Sequence, residues 1–344
     1  MPLPSAAPPG PPPDNADIAA PCPAGLPTLS NGVACFQGRD SAGAYYWIAV
    51  PPAWNGVLVL HAHGGPELGE PRADRTEQDL KRWAVMLKAG YAWAGSSYRQ
   101  GGVAVRAAGE DTERLRGIFV TNVGKPRITI LHGQSWGASV AAKAAEAYPA
   151  SYDGLLLTSG VLGGGTLSYD VRLDLRVVYQ ALCANHPLPT EPAYPLWQGL
   201  PPGSTLTHAE LARRVDHCTG LRLKPEQRSA DQQRKLDAIL KTLHIPERSL
   251  LGHLNWATWH FQDIVFKRLD GANPFGNLGA RYTGSADDAT LNATVAHYRA
   301  DPDAVARLAE DTDPTGRIGV AGGWFRPSRT STSTATSVTP NTRP

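Results

Sequence analysis

Between residues 44 and 160 short apolar runs alternate with longer segments whose apolar positions recur at helical spacing. Ala44-Tyr-Tyr-Trp-Ile-Ala-Val50 reads as a strand closed by Pro51-Pro52. Gly56-Val-Leu-Val-Leu-His61 is an unbroken apolar run, which suits a strand covered on both faces. The pattern then predicts a helix over 75–87 stopped by Gly90, a strand over 91–95, and a long helix over 103–123 broken by Gly124-Lys-Pro126. Arg127-Ile-Thr-Ile-Leu131 is a β-branched strand, 138–148 an Ala-rich helix closed by Pro149, and Gly154-Leu-Leu-Leu-Thr158 one more buried strand. Strand and helix alternating at this spacing predict an α/β fold with a mostly parallel sheet and helices on both of its faces.

After Gly163-Gly-Gly165 the pattern changes. Residues 166–313 hold helical stretches such as 230–243 and 302–310, few strand signals, and Pro/Gly-rich loops such as 187–202. Asp301-Pro302 is a good helix start, because a proline in the first turn has no amide to leave unsatisfied. This predicts a helical cap inserted into the sheet domain; an independent C-terminal helical domain is the alternative. Residues 1–25 are Pro-rich and expected to be a disordered lead-in. The expected division is therefore 1–25 lead-in, 26–165 core, 166–313 cap and 314–344 remnant. In that remnant Ile318-Gly-Val320 starts like a strand, and a Ser/Thr/Pro/Arg-rich tail expected to be disordered follows.

Composition adds exclusions. The 344 residues are 42% hydrophobic and 19% charged, with a net charge of +2, so nothing marks a nucleic-acid or membrane-surface partner. No apolar run approaches the roughly 18 residues of a membrane span. Four cysteines fall into two local pairs. Two disulfides, Cys22–Cys35 in the N-terminal arm and Cys183–Cys218 in the cap, are the expectation, with four reduced thiols as the alternative. Disulfides point to an extracytoplasmic protein. Residues 1–13 lack the basic and apolar regions of a signal peptide, which leaves a cytosolic protein or a start upstream of Met1.

The chemistry lies at the strand ends. Gly133-Gln-Ser-Trp-Gly137 matches G-x-S-x-G and sits between the strand at 127–131 and the helix from 138. A serine on such a sharp turn holds its hydroxyl exposed above the sheet, and the turn sets the Trp136 amide at a helix N-terminus, where an oxyanion binds. His61-Ala-His-Gly-Gly65 follows the earlier buried strand, and Gly64 and Gly65 are the candidates for the second oxyanion amide; a plain Gly-Gly turn is the alternative. The His61/His63 pair raises a metal-dependent hydrolase, but no third ligand is evident, so no metal is expected.

On His63-Gly-Gly65, Ser96-Ser-Tyr-Arg-Gln-Gly101 and His132-Gly-Gln-Ser-Trp-Gly137 the chain resembles the α/β-hydrolase superfamily over roughly 44–160, in the style of lidded bacterial serine esterases. The resemblance implies cofactor-free hydrolysis of a small ester through an acyl-serine on Ser135, with a histidine accepting the proton and an acid orienting it. Arg99 is expected to tie loops by ion pairing. In this superfamily the acid and histidine follow the serine, in that order, beyond the lid. After Asp313 there is no Asp, Glu or His, which suggests a truncated or altered C-terminus. A complete triad would have to draw on the cap, from His260 with Asp263 or His297 with Asp301, although such spacings usually mark surface helix pairs. A catalytically inactive hydrolase-like or binding protein and a serine-peptidase-like amide hydrolase remain as alternatives. Trp197, Trp256, Trp259 and Phe261 could face an apolar acyl group or form the cap's core.

Overall fold

The computed structural model describes residues 19–26 and 32–316. The expected remnant strand at 318–320, the tail behind it and the lead-in before residue 19 lie outside the described residues.

The described chain divides into two compact units. The first runs to Ser168 and takes in Lys267–Asp270 and the residues from Asp303 onward. The second holds Tyr169–Phe266 and Gly271–Pro302.

The first unit is built on one seven-stranded sheet in the order β1-β2-β3-β5-β4-β6-β7. The strands are β1 Ala19–Ala20, β2 Ala34–Arg39, β3 Tyr45–Val50, β4 Val57–Ala62, β5 Ala92–Ser96, β6 Ile128–Gln134 and β7 Gly154–Thr158. β4, β5, β6 and β7 pair in parallel. β1, β2 and β3 pair antiparallel along the other side, β3 joining β5. The parallel centre is the α/β architecture expected. β1 and β2 were not read from the sequence. β1 falls within the stretch expected to be disordered: the Cys22–Cys35 disulfide staples this arm to β2, and Ala19 and Ala20 pair with Phe36 and Cys35. A cross-link closing a short loop stabilises such an edge by restricting the unfolded chain.

Helices cover both faces. The helix expected over 75–87 is two, α1 Ala73–Arg82 and α2 Val85–Lys88, parted at Trp83–Ala84. Leu80 and Leu87 pack with Trp47, Val59 and Trp93 of the sheet. On the opposite face lie α3 Val105–Asn122 and α4 Trp136–Ala147; a Cβ on Gly109 of α3 would sit 3.5 Å from Ala144 Cβ of α4, so the pair is closely packed. Two more helices begin in one unit and end in the other: α5 Gly164–Cys183 and α10 Pro302–Thr312. The end of α10 is bonded to the first unit. The Arg106 amide donates to Asp311 Oδ1 at 3.0 Å, and Thr166 N and Lys143 Nζ donate to Asp313 at 3.2 and 3.0 Å. The residues from Asp303 to 313, expected within the cap, therefore belong with the sheet.

The described part of the second unit is helical, with α6 His208–Thr219, α7 Ala230–Leu243, α8 Leu250–Asn255 and α9 Asp288–Thr294. Its Cys183–Cys218 disulfide ties the end of α5 to α6 across a Cα separation of 5.7 Å. Beyond α8 the backbone widens into π-helical turns over Trp256–His260 and Asp263–Arg268. No helix among the described residues is long and apolar enough to cross a membrane.

Candidate active site

Ser135 stands between the last residue of β6 and the first of α4 with φ 54° and ψ −119°, a backbone region that side chains other than glycine rarely enter. The turn holds because its neighbours leave no slack. The Ser135 amide donates to Thr158 O at 2.9 Å, and its carbonyl accepts from the amides of Ala138 at 3.0 Å and Val161 at 3.2 Å. A Cβ on Gly133 would meet Gly137 O at 2.4 Å, and one on Gly137 would meet Ala62 O at 2.0 Å. Both glycines of G-x-S-x-G are thus required by close approach of backbone to backbone. The Ser135 side chain makes no capping hydrogen bond to α4. Trp136 opens α4, so its N–H belongs to the first turn, whose amides have no partner within the helix.

β4 lies beside β6 in parallel, with His61 opposite His132 and Ala62 opposite Gly133. The chain leaving β4 is therefore delivered to the elbow. A Cβ on Gly64 would lie 2.7 Å from Gln134 O and 3.3 Å from Ser135 Cβ, so Gly64 is packed directly on the Ser135 turn. The four residues expected to form the serine and oxyanion cluster are neighbours: Ser135 and Trp136 in the elbow, Gly64 against it and Gly65 next along the loop. A small cavity of about 20 Å³, room for about one water, opens here and is lined by Gly65, Trp136, His63, Tyr98 and Arg75.

The elbow rests on buried polar groups. His61 and His132 approach Nδ1 to Nδ1 at 3.0 Å between the rings of Trp83 and Trp93. His61 Nε2 lies 3.9 Å from Asp79 of α1. Burial, then His132, holds His61 well below its ordinary pKa, and burial lowers His63 and His132 to about 4. All three rings are neutral at pH 7. Burial also raises Asp79 to about 6, against the pull of Arg75 and Arg82. The only hint in the sequence is the i, i+4 spacing of Arg75 and Asp79 on the helix after the glycine loop.

The two histidines of the H-x-H pair do not share a face as alternate strand residues. β4 ends at Ala62, so His61 points to His132 while His63 stacks on Tyr98 at 4.1 Å. Among the described residues no group of three or more His, Cys, Asp or Glu is arranged to hold a metal ion.

The candidate triad partners from the cap all lie in the second unit. His260 and Asp263 are buried, not the surface pair their spacing suggested, and His260 Nδ1 is 3.1 Å from Tyr169 OH. His297 and Asp301 share no helix: α9 ends at Thr294, His297 Nδ1 lies 3.2 Å from Asn277 O, and Asp301 precedes α10. Among the described residues no imidazole is hydrogen-bonded to Ser135 Oγ. Of the cap aromatics, Phe261 is buried against Phe275, Trp259 stacks on His208 and Trp256 is exposed. Arg99 pairs with Glu110 and Asp111, both on α3, so its ion pairs join a loop to a helix and not to a second loop.

Elbow, glycine loop and a parallel sheet centre flanked by helices on both faces decide the class. The first unit has an α/β-hydrolase-type fold. Residues 39–191, which contain the glycine loop and the elbow, match the model of a "Tannase-like family of unknown function (DUF6351)". No curated protein matches the chain. Among solved structures it is similar to an esterase of the bacterial hormone-sensitive lipase family, at 18% identity over 46% of this chain and 50% of that one, with a TM-score of 0.31. It is also similar to a highly thermostable carboxyl esterase from Bacillus coagulans, at 16% identity over 69% and 74% with a TM-score of 0.32. A third is an acetyl xylan esterase from Aspergillus awamori, at 18% identity over 37% and 52% with a TM-score of 0.27. The chain spans about half the length of the first-ranked of these structures.

Proposed function

We propose that this chain is a serine hydrolase that cleaves carboxylic esters through an acyl-enzyme on Ser135. The observation that carries the reading is the Ser135 backbone, held at φ 54° and ψ −119° between a buried parallel strand and a helix. Strain of this kind costs on the order of 1–3 kcal/mol and persists where the surroundings enforce it. A buried serine doing structural work has no need of it. The match of 39–191 to a tannase-like family supports the same reading.

In this reading Ser135 Oγ attacks the ester carbonyl and gives its proton to solvent water. The oxyanion is met by the Trp136 N–H at the start of α4 and by an N–H of the Gly64–Gly65 loop; the carbonyl reforms as the C–O bond to the alkoxide breaks, and the alkoxide takes a proton from water to leave as the alcohol. A water then adds to the acyl carbon, the bond to Oγ breaks, Ser135 regains a proton and the acid is released. Activated esters and fluorophosphonates, whose leaving groups depart without protonation, need no general acid and are the most favourable probes of Ser135. A fluorophosphonate probe tests this directly: it labels the wild-type chain at Ser135, and Ser135→Ala abolishes both labelling and turnover of an activated ester. A folded wild-type protein that resists the probe overturns the reading and leaves a binding protein on a hydrolase scaffold.

A further inference from the structure

We propose that Arg75 is a positioning residue for the oxyanion site: it fixes the Gly64–Gly65 peptide so that the Gly65 N–H is directed to the elbow. The inference rests on Ser135 being the nucleophile.

The geometry starts at the Gly64 carbonyl. It accepts from Arg75 Nη2 at 3.0 Å and from His63 Nδ1 at 3.1 Å. His63 is held neutral at pH 7, so it donates here as the Nδ1–H tautomer. In a trans peptide the carbonyl and the following N–H point in opposite directions. Two donors on Gly64 O therefore fix the direction of the Gly65 N–H. Rotating that peptide would break both bonds at once. The need for such a clamp is local: Gly64 and Gly65 have no side chains of their own to resist rotation, and Gly65 sits at φ +76° with open space around its Cα.

Arg75 is itself held. Its Nε lies 3.2 Å from Glu67 Oε1, and its Nη2 lies 3.5 Å from Asp79 Oδ1, one turn along α1. The Glu67 carbonyl in turn accepts from the Gly102 amide at 2.7 Å, which anchors the far end of the glycine loop. Nη2 thus donates to the loop carbonyl while the guanidinium lies in ion-pair range of both carboxylates; an ammonium, a point charge, does not reproduce that geometry. Arg75 makes no hydrogen bond to Ser135 and acts through the peptide it holds.

The test uses the full chain with Arg75→Met and Arg75→Lys. For Arg75→Met, kcat on an activated ester and the second-order rate of fluorophosphonate labelling fall about tenfold or more, toward the loss seen when an oxyanion donor is removed. KM changes less than kcat, since the hydrogen bond removed is to the loop peptide that orients the oxyanion donor. Arg75→Lys recovers only part of the rate. In protein labelled with 15N-glycine, the Gly65 amide, assigned by its disappearance in Gly65→Ala, is a single resonance in the wild type and doubled or broadened in Arg75→Met. An unchanged Gly65 resonance, or a labelling rate within about twofold of wild type, overturns the clamp. Should Arg75→Met fail to fold, the same two measurements on Arg75→Lys decide it. A wild-type chain that resists the probe sinks the nucleophile reading instead, and the Gly65 resonance still answers separately for the clamp.

Discussion

The segments that leave the carboxyl ends of β4 and β6 start side by side and hold their shapes by opposite means. After β6 the chain turns in one residue: Gln134 ends the strand, Trp136 begins α4, and Ser135 takes the strain between them. This turn is fixed by backbone packing, with Gly133 and Gly137 so close to their neighbours that no Cβ fits. After β4 the chain runs about ten residues before α1, and its Gly64 carbonyl is held by hydrogen bonds from the side chains of Arg75 and His63. In the proposed reading the serine needs one position, which close packing gives, and the loop amide needs one direction, which a hydrogen-bonded peptide gives. The packed turn should therefore break through volume, and the clamped loop through charge and hydrogen bonding.

The largest effect is expected at Gly137. The methyl of Gly137→Ala would lie 2.0 Å from Ala62 O and 2.5 Å from His63 O, both backbone atoms of the neighbouring strand end. Neither can retreat without parting α4 from β4. We expect a loss of about 4 kcal/mol or more, or failure to fold, read by urea unfolding. Near-wild-type stability would mean that the elbow is not packed as described.

Acid tests the polar side of the comparison. His63 and His132 have native pKa values lowered from 6.5 to about 4, so the unfolded chain binds more protons than the native one between those values. Their contribution is complete above about pH 6.5 and is lost as the pH falls through 4. Asp79, raised from 3.8 to about 6, acts in the opposite sense: its native form holds a proton that the unfolded chain has given up, so it favours the fold at the acid end of that range. Two histidines, with His61 shifted the same way, outweigh one carboxyl. The expected net loss from pH 7 to pH 4 is on the order of 3 kcal/mol in urea unfolding. In His132→Phe the loss should shrink. A flat profile across this range would contradict the buried neutral histidines.

Much of this region was legible in the sequence, for physical reasons. The buried parallel strands announce themselves as unbroken apolar runs, and G-x-S-x-G between such a run and an Ala-rich helix fixes the elbow. What was missed has no such periodicity. β1 is two alanines held by a disulfide, and β2, Ala-Cys-Phe-Gln-Gly-Arg, carries no clean alternation because its burial is set by the strands beside it. The break at Trp83–Ala84 lies inside a continuous apolar spacing, so one helix was the natural expectation where two exist. The sequence carries no sign that Arg75 and Asp79 are turned inward: an i, i+4 pair on a helix is ordinarily exposed, and only the packing of α1 on β3 and β5 brings Asp79 to His61 and Arg75 to the Gly64 carbonyl. For His297 and Asp301 the i, i+4 spacing is that of a helix, but the backbone there is not helical: α9 ends at Thr294 and α10 begins at Pro302.

The finest test separates two adjacent glycines within the clamped loop. Gly64 and Gly65 look alike in the sequence, yet they are glycine for different reasons. A Cβ on Gly64 would stand 2.7 Å from Gln134 O and 3.3 Å from Ser135 Cβ, so Gly64→Ala must push the loop off the elbow. Gly65 has nothing within 4 Å of a built Cβ but sits at φ +76°, so Gly65→Ala meets only the backbone cost of that conformation. Gly64→Ala should cost about 2 kcal/mol, as a small overpacking does. Gly65→Ala should cost about 1 kcal/mol, the penalty of a left-handed alanine. Urea unfolding of the two variants in parallel gives the difference directly. Equal losses would mean that the loop keeps its glycines for flexibility alone, and that the approach of Gly64 to the serine turn carries no weight.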